Sequence, residues 1–577
     1  MNYIGDFDRV VLADSEFGAR PGARPNPVCF VFHELGSGRR TRTWLGGGGS
    51  VSPAPFVFDD RTLFVAYFSS AELGCFLALD WKLPARILVL YVEFSRLTSG
   101  TTRPCGRSLL GALIAFGLDG IAAAEKEHMR ELILRGGPYS DAERAAILDY
   151  CESDVVALKS LLAAMEKTID LPRALIRGSY MKAVALMEYN GVPIDVPMLD
   201  LLRGHWGSIQ DDLIAELDAS RGIYEGRTFK TSRFLEYTQK RKILWPTLPT
   251  GNPSLDDDTF REMSQRHPQE IGPIRELRAA LSRMRLSDLQ VGPDGRNRCL
   301  LAPFGSRTGR NQPSNTKFIF GPAVWLRSLI KPGPGRFVAY VDYSQQELAI
   351  AAALSGDEAM MSAYKSGDFY LTFAKQAGAV PADATKESHP QQREQFKTCT
   401  LGIQYGMGGK GLAAKLGVSG GRGHELLALH QHTYSRFWRW SDAAEALAIL
   451  SGKLESTFGW CVHVNSADAN PRSLRNFPVQ ANGAEMIRFA CSLATQRGIE
   501  VCCPVHDALL VEGPVSRVDE IVHATQGAMA TASEIVLPGF PLRTEAKVIC
   551  EPDRYMDPRG REMWETVGSI LHRRGYS

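Results

Sequence analysis

Ala339-Tyr-Val-Asp-Tyr-Ser-Gln-Gln-Glu-Leu348 is the stretch whose reading decides the fold. An apolar run of strand type ends on one carboxylate, Asp342, turns through polar residues, and enters a helix-forming run from Glu347 to Leu354. A carboxylate at the end of a buried strand costs free energy unless something positive meets it. Alone, Asp342 reads equally well as the cap of the following helix. A second stretch changes the balance. Val501-Cys-Cys-Pro-Val-His-Asp-Ala-Leu-Leu-Val511 puts Asp507 at a tight turn between two short apolar runs, the pattern of a hairpin. Two strand-end aspartates, far apart along the chain, can share a pair of divalent ions.

The bulk properties set limits around these two stretches. A chain of 577 residues is too long for one core and is expected to form two or three domains. Its 44% hydrophobic and 23% charged residues are ordinary for a globular protein. A formal net charge of +2 means that any nucleic-acid surface must concentrate positive charge locally. The 11 cysteines form no Cys-x-x-Cys pair, which fits free thiols in a reducing compartment. The N-terminus lacks a basic-then-apolar signal pattern, and no apolar run reaches the roughly 18 residues of a membrane helix. The expectation is a soluble cytoplasmic protein with no membrane partner.

Near the N-terminus, Val10-Val-Leu-Ala-Asp14-Ser-Glu16-Phe17 reads as a buried strand ending in acid. Strand side chains alternate, so Asp14 and Glu16 share a face and repel each other unless a cation lies between them. Tyr150 and Asp154, four apart on a helical segment starting near Ser140-Asp141, share a helix face. Gly46 to Gly49 reads as a flexible turn, because no Lys-Ser/Thr helix follows to make a phosphate loop. Ala183 to Asn190 reads as an amphipathic helix closed by Gly191. From Arg227 to Lys242, six cations alternate with Phe229, Phe234 and Tyr237, a local basic stretch suited to phosphates. A helix starting at Gln391 carries Arg393, Lys397, Leu401 and Tyr405 on one stripe. Two cations in the first turns of a helix oppose its dipole, and a docked triphosphate would relieve that.

Together these motifs resemble those of the family A DNA polymerases, the DNA polymerase I type. Asp342-Tyr-Ser-Gln-Gln-Glu347 resembles the first palm motif, Arg393 to Gly406 the fingers motif, and Val505-His506-Asp507 the last palm motif, in the family's order. The N-terminal acids resemble a DnaQ-like 3′–5′ exonuclease. The fold class this implies is α/β and α+β multidomain: an RNase H-like exonuclease domain followed by a right-hand polymerase with thumb, palm and fingers. The expected boundaries are 1–165 for the exonuclease-like domain, 166–300 for linker and thumb, and 301–577 for palm and fingers, with fingers at about 357–460. The chain is expected to start at the exonuclease, without a 5′ nuclease domain.

The resemblance also assigns roles. In the polymerase half, Asp342, Asp507 and the backbone carbonyl of Tyr343 would hold two magnesium ions, with manganese as an alternative. Arg393 and Lys397 would hold the triphosphate, and Lys397 would protonate the leaving pyrophosphate. Tyr405 would lie near the templating base, Leu401 against the nucleotide sugar, and Glu347 under its 2′ position as a gate against ribonucleotides. Arg310, Arg472 and Gln480 would contact the primed DNA template, and His506 would lie beside the primer end. In the N-terminal half, Asp14, Glu16 and Asp154 would hold two further metals, with Tyr150 orienting the attacking water. Glu72 takes the place of the middle carboxylate, usually Asp, with Glu93 as a weaker substitute. Leu401 stands where relatives carry Phe or Tyr, Phe68 where Asn is common, and Ala508 where many relatives have Glu.

The implied activity is template-directed DNA synthesis from dNTPs at a primer 3′-hydroxyl with 3′–5′ proofreading. The alternative is an exonuclease or DNA-binding scaffold with an inactive polymerase half. A processivity partner leaves no mark in the sequence.

Overall fold

The computed structural model describes residues 3–46, 53–103, 105–119, 123–248, 250–283, 286–321, 323–465 and 469–576. Gly47 to Gly49, most of the glycine run, lie outside the described residues. Among the described residues, no helix is long and apolar enough to cross a membrane.

The N-terminal half is built on a five-stranded sheet of β1 (Arg9–Gly18), β2 (Asn26–Glu34), β3 (Arg40–Trp44), β4 (Thr62–Ala66) and β5 (Arg86–Val89). Their order is β3-β2-β1-β4-β5. β2 and β3 run antiparallel, whereas β4 and β5 run parallel to β1. This is the topology expected of an RNase H-like sheet. β1 is central and covered on both faces, so its side chains alternate between two cores. Val11 and Ala13 join the core of α1 (Ser70–Ala78), while Leu12 joins the opposite core with Ile147 and Val155. Asp14 and Glu16 continue the Leu12 side, under the helix that carries Tyr150 and Asp154.

α2 (Ala123–Arg135) and α3 (Asp141–Met165) help to close that side. α3 begins with a full capping box: the Ser140 side chain accepts from Glu143 N, and Glu143 accepts from Ser140 N. α4 (Leu171–Asn190) is longer than the segment seen in the sequence, and ends at Gly191 with φ 68°. It joins the two halves. Its Gly178 lies so close to β5 that a Cβ would sit 1.9 Å from the Ile87 carbonyl oxygen. One residue earlier, buried Arg177 grips Glu93 with two hydrogen bonds of 2.7 and 2.8 Å.

The C-terminal half is built on an antiparallel sheet. It comprises β6 (Arg336–Tyr343), β7 (Glu500–Val505), β8 (Ala508–Pro514) and β9 (Thr544–Cys550), in the order β7-β8-β6-β9. Phe337, Val338, Ala339 and Val341 of β6 are fully buried. Of the helices α5 (Gln346–Ser355), α6 (Phe369–Gln376), α7 (Pro390–Gln404), α8 (Pro471–Gln496) and α9 (Val518–Val536), α8 and α9 pack on this sheet, α5 packs on α8, and α6 and α7 pack on each other. All 11 cysteines are free thiols.

The basic stretch reads differently in three dimensions. Arg227 pairs with Asp211 at 2.7 Å, and Lys230 and Arg233 both pair with Glu225. Phe234 and Tyr237 are buried. Half of the expected phosphate-binding charge is therefore neutralised within the fold, and the interleaved aromatics are core. Lys240, Arg241 and Lys242 stay exposed.

Candidate active site

Strand register brings the two palm aspartates together. Asp342 is the penultimate residue of β6 and pairs with Ala508, the first residue of β8. The two-residue turn between β7 and β8 is His506-Asp507, with His506 in the left-handed region at φ 57°. The Tyr343 amide donates to the Asp507 carbonyl at 3.2 Å, locking strand end to turn. The two carboxyl groups are in hydrogen-bonding contact. Burial first, then the charge of Asp507, pushes the Asp342 carboxyl up to about 7; burial also raises Asp507. Asp342 Oδ1 is buried with no hydrogen-bond partner. A pair that cannot easily ionise together, with an orphaned oxygen between strand ends, fits a hard divalent cation.

A third acid was not read from the sequence. Glu545 on β9 is the register partner of Asp342 on the side opposite Ala508, and its charge also raises Asp342. Glu545 Oε1 accepts from the Ser344 hydroxyl at 3.2 Å. Its strand neighbours carry no motif, and only pairing reveals it.

Three residues assigned to separate tasks prove to be neighbours. Glu347, in the first turn of α5, accepts from Arg310 Nη2 at 2.9 Å and contacts the Tyr405 hydroxyl. Arg310 sits on a tight turn. Its amide donates to the Ser306 hydroxyl at 2.9 Å, and buried Arg488 donates to the Gly309 carbonyl at 2.7 Å. Gly309 is required there: its φ is 76°, and a Cβ would press on the Trp460 ring at 3.0 Å. Arg310 and His506 line one groove together.

α7 begins at Pro390, one residue before the expected start, with proline at its first turn. Its cations have protein partners. Arg393 Nε donates to Asp368 Oδ2 at 2.6 Å, and Lys397 lies 3.4 Å from Glu394. The dipole conflict read from the sequence is thus already relieved in part, by the acid that caps α6. Leu401 is half-buried, and Tyr405, 59% exposed, ends the helix. Gly406 then turns at φ 75°, where a Cβ would meet Arg472 at 2.7 Å. Arg472, Asn476 and Gln480 follow at steps of four along α8, the first two lining a second groove under the fingers helix.

The N-terminal acids also converge. Oxygen or sulfur atoms of Asp14, Glu16 and Cys151 lie within 4.8 Å of one another. Burial, then the Asp154 charge, pushes Asp14 up to about 8. Burial and Asp14 raise both Glu16 and Glu72, and Glu72 Oε2 is buried without a partner. Tyr150 hydrogen-bonds Asp154. Glu72 thus lies within electrostatic reach of Asp14, outside the group whose atoms lie within 4.8 Å. Glu93 has other partners: its charge is taken up by Arg177 and by Arg96. Phe68 packs edge-on against Tyr91 at 4.8 Å. Lys126, unremarkable in a charged run, reaches into the cluster with its Nζ 3.0 Å from Asp154.

A five-stranded α/β domain followed by an antiparallel sheet on which two aspartates meet at adjoining strand ends is the arrangement of a right-hand nucleic-acid polymerase with an appended α/β domain. The model of DNA polymerase family A matches residues 242–549, just over half of the chain. The chain belongs to that family, whose members are DNA-directed DNA polymerases that use divalent metal ions. DNA polymerase I of Aquifex aeolicus (strain VF5) is 24% identical over 451 residues, 71% of this chain and 75% of that protein. The thermostable DNA polymerase I of Thermus thermophilus is 28% identical over 391 residues, 62% of this chain. That of Thermus aquaticus is 24% identical over 387 residues. The chain spans 45% of the length of each of these two Thermus relatives. In fold it is similar to the POL domain of Pol1 from M. smegmatis, solved in complex with DNA primer-template and dNTP. The TM-score is 0.68 at 18% identity, covering 97% of this chain and 96% of that one.

Proposed function

We propose that the palm site adds deoxynucleotides to a primer 3′-hydroxyl on a DNA template, and that residues 1–165 form a 3′–5′ exonuclease that removes mispaired ends. On this reading residues 166–300 are linker and thumb, and 301–577 are palm and fingers, with fingers at about 357–460. Primed DNA and dNTPs are the substrates, as in the complex of the M. smegmatis relative. The bacterial relatives support a place in the cytoplasm of a bacterial or phage-infected cell.

The observation that carries the polymerase reading is the contact between Asp342 and Asp507, with Asp342 held near neutrality and its Oδ1 unpartnered. Asp342, Asp507 and the Tyr343 carbonyl would hold two divalent ions, magnesium or manganese. When bound, these supply activation of the 3′-hydroxyl and charge stabilisation at the leaving pyrophosphate. The 3′-oxygen forms a bond to the α-phosphorus as the bond to pyrophosphate breaks. Arg393 and Lys397 hold the triphosphate, and Lys397 delivers a proton to the leaving group. Asp368 holds Arg393 in orientation before the nucleotide arrives. Glu347, held by Arg310 and Tyr405, presents a rigid wall to a 2′-hydroxyl, and Leu401 packs on the sugar. Arg310, Arg472, Gln480 and His506 line the path of the primed template. In the N-terminal domain Asp14, Glu16, Glu72 and Asp154 hold divalent ions, and Tyr150 orients the attacking water.

Primer extension tests both halves. Asp342→Ala and Asp507→Ala are each expected to lower extension on the order of a thousandfold or more. Asp14→Ala is expected to abolish degradation of a mispaired primer while leaving extension intact. Normal extension by the Asp342 variant would overturn the palm assignment; unchanged degradation by the Asp14 variant would overturn the exonuclease.

A further inference from the structure

Four acids, Asp14, Glu16, Glu72 and Asp154, lie within electrostatic reach of one another in the N-terminal domain, and one lysine enters among them. Lys126 projects from α2, which packs beside β1 and α3. Its ammonium donates to both oxygens of Asp154, at 3.0 and 3.1 Å. It stands 5.9 Å from the centre of the Tyr150 ring and acts electrostatically on Asp14 and Glu16. The lysine side chain is 24% exposed and that of Asp154 is 11% exposed, so the pair is largely shielded from solvent. A single positive charge cannot balance four carboxylates. Glu72 Oε2, in a residue only 4% exposed, has no hydrogen-bond partner, so part of the cluster remains unfilled.

A divalent ion and an ammonium seek the same oxygens. The ammonium is tethered, so its local concentration does not fall when the solution is diluted. We propose that Lys126 is a built-in competitor for divalent cations at Asp154: full metal loading of this cluster requires α2 to withdraw the lysine. This rests on the reading of Asp14, Glu16, Glu72 and Asp154 as metal ligands. The position of α2 then sets how many ions the domain holds. With the lysine in, Asp154 would be withheld from the ions; with it out, Asp154 would be free to join Asp14, Glu16 and Glu72 as a ligand.

Direct metal binding tests this. The full chain carrying Asp342→Asn and Asp507→Asn, which empties the palm, is titrated with Mn2+ and followed by electron paramagnetic resonance. Lys126→Gln is expected to tighten Mn2+ binding about tenfold or more, the worth of a hydrogen bond to a charged group. Lys126→Arg, which keeps the charge, is expected to stay near the parent. Thermal melts without metal check that each variant is folded. Unchanged or weaker binding in Lys126→Gln would overturn the proposal. So would tightening by both variants, which would point to packing, or no binding outside the palm in any of them. Degradation of single-stranded primer by the unmodified chain and by Asp14→Ala is measured alongside. That assay decides the exonuclease reading by itself, whichever way the titration falls.

Discussion

Asp342→Asn is expected to abolish synthesis and, without metal, to stabilise the protein. The reason is linkage. The Asp342 carboxyl moves from its usual 3.8 to about 7 in the folded chain. At a pH between these values the unfolded chain has lost this proton and the folded chain keeps it, so stability falls as pH rises from about 4 to about 7. Below that window there is no penalty, and above it the penalty is complete. At about 1.4 kcal/mol per pH unit the full cost is about 4 kcal/mol. Asp342 is only partly shielded and water screens its charge, so about 2 kcal/mol is the expected value. Asparagine carries no charge and escapes the penalty. In chelator at pH 8, Asp342→Asn should therefore outlast the parent in urea by about 2 kcal/mol, with little difference at pH 4. Added Mg2+ should stabilise the parent at pH 8 more than the variant, because both keep the N-terminal acids but only the parent keeps the palm carboxylate pair that binds the ion in the folded state. A variant less stable than the parent at pH 8 in chelator, or equal stabilisation of both by Mg2+, would refute the reasoning.

Three further outcomes follow from particular contacts. Glu347→Ala removes the gate and frees Arg310 and Tyr405; ribonucleotide insertion relative to deoxynucleotide should rise about tenfold to a hundredfold in single-turnover assays. Arg177→Ala leaves buried Glu93 with only the longer contact to Arg96 and should cost about 3 kcal/mol in denaturant unfolding, whereas Arg177→Met with Glu93→Leu should recover most of it. Gly178→Ala forces a methyl to within 1.9 Å of the Ile87 carbonyl oxygen. The strand must move, and a loss of about 3 kcal/mol or more is expected, read as an earlier melting transition.

Local pattern made much of this protein legible. The strand ending at Asp342, the hairpin at Asp507, the shared face of Tyr150 and Asp154, and the helix start near Ser140-Asp141 each depend on residues a few positions apart. Helix and strand periods encode such neighbourhoods directly. Residue type alone could not separate functional charges from structural ones. Glu93 and Glu72 look alike in sequence, but Arg177 claims one and leaves the other facing Asp14. Arg227, Lys230 and Arg233 suggested a phosphate surface, but Asp211 and Glu225 had already neutralised them. Asp368 beneath Arg393, Glu545 beside Asp342 and Lys126 against Asp154 left no signal, because their partners lie 25, 203 and 28 residues away. A charge acts through a few ångströms of space whatever the length of chain between, and no sequence period measures that distance. The sequence alone therefore determined which segments form strands and helices and where the acids sit on them; only the packing of those segments decided which acid meets a cation and which keeps an unpartnered oxygen.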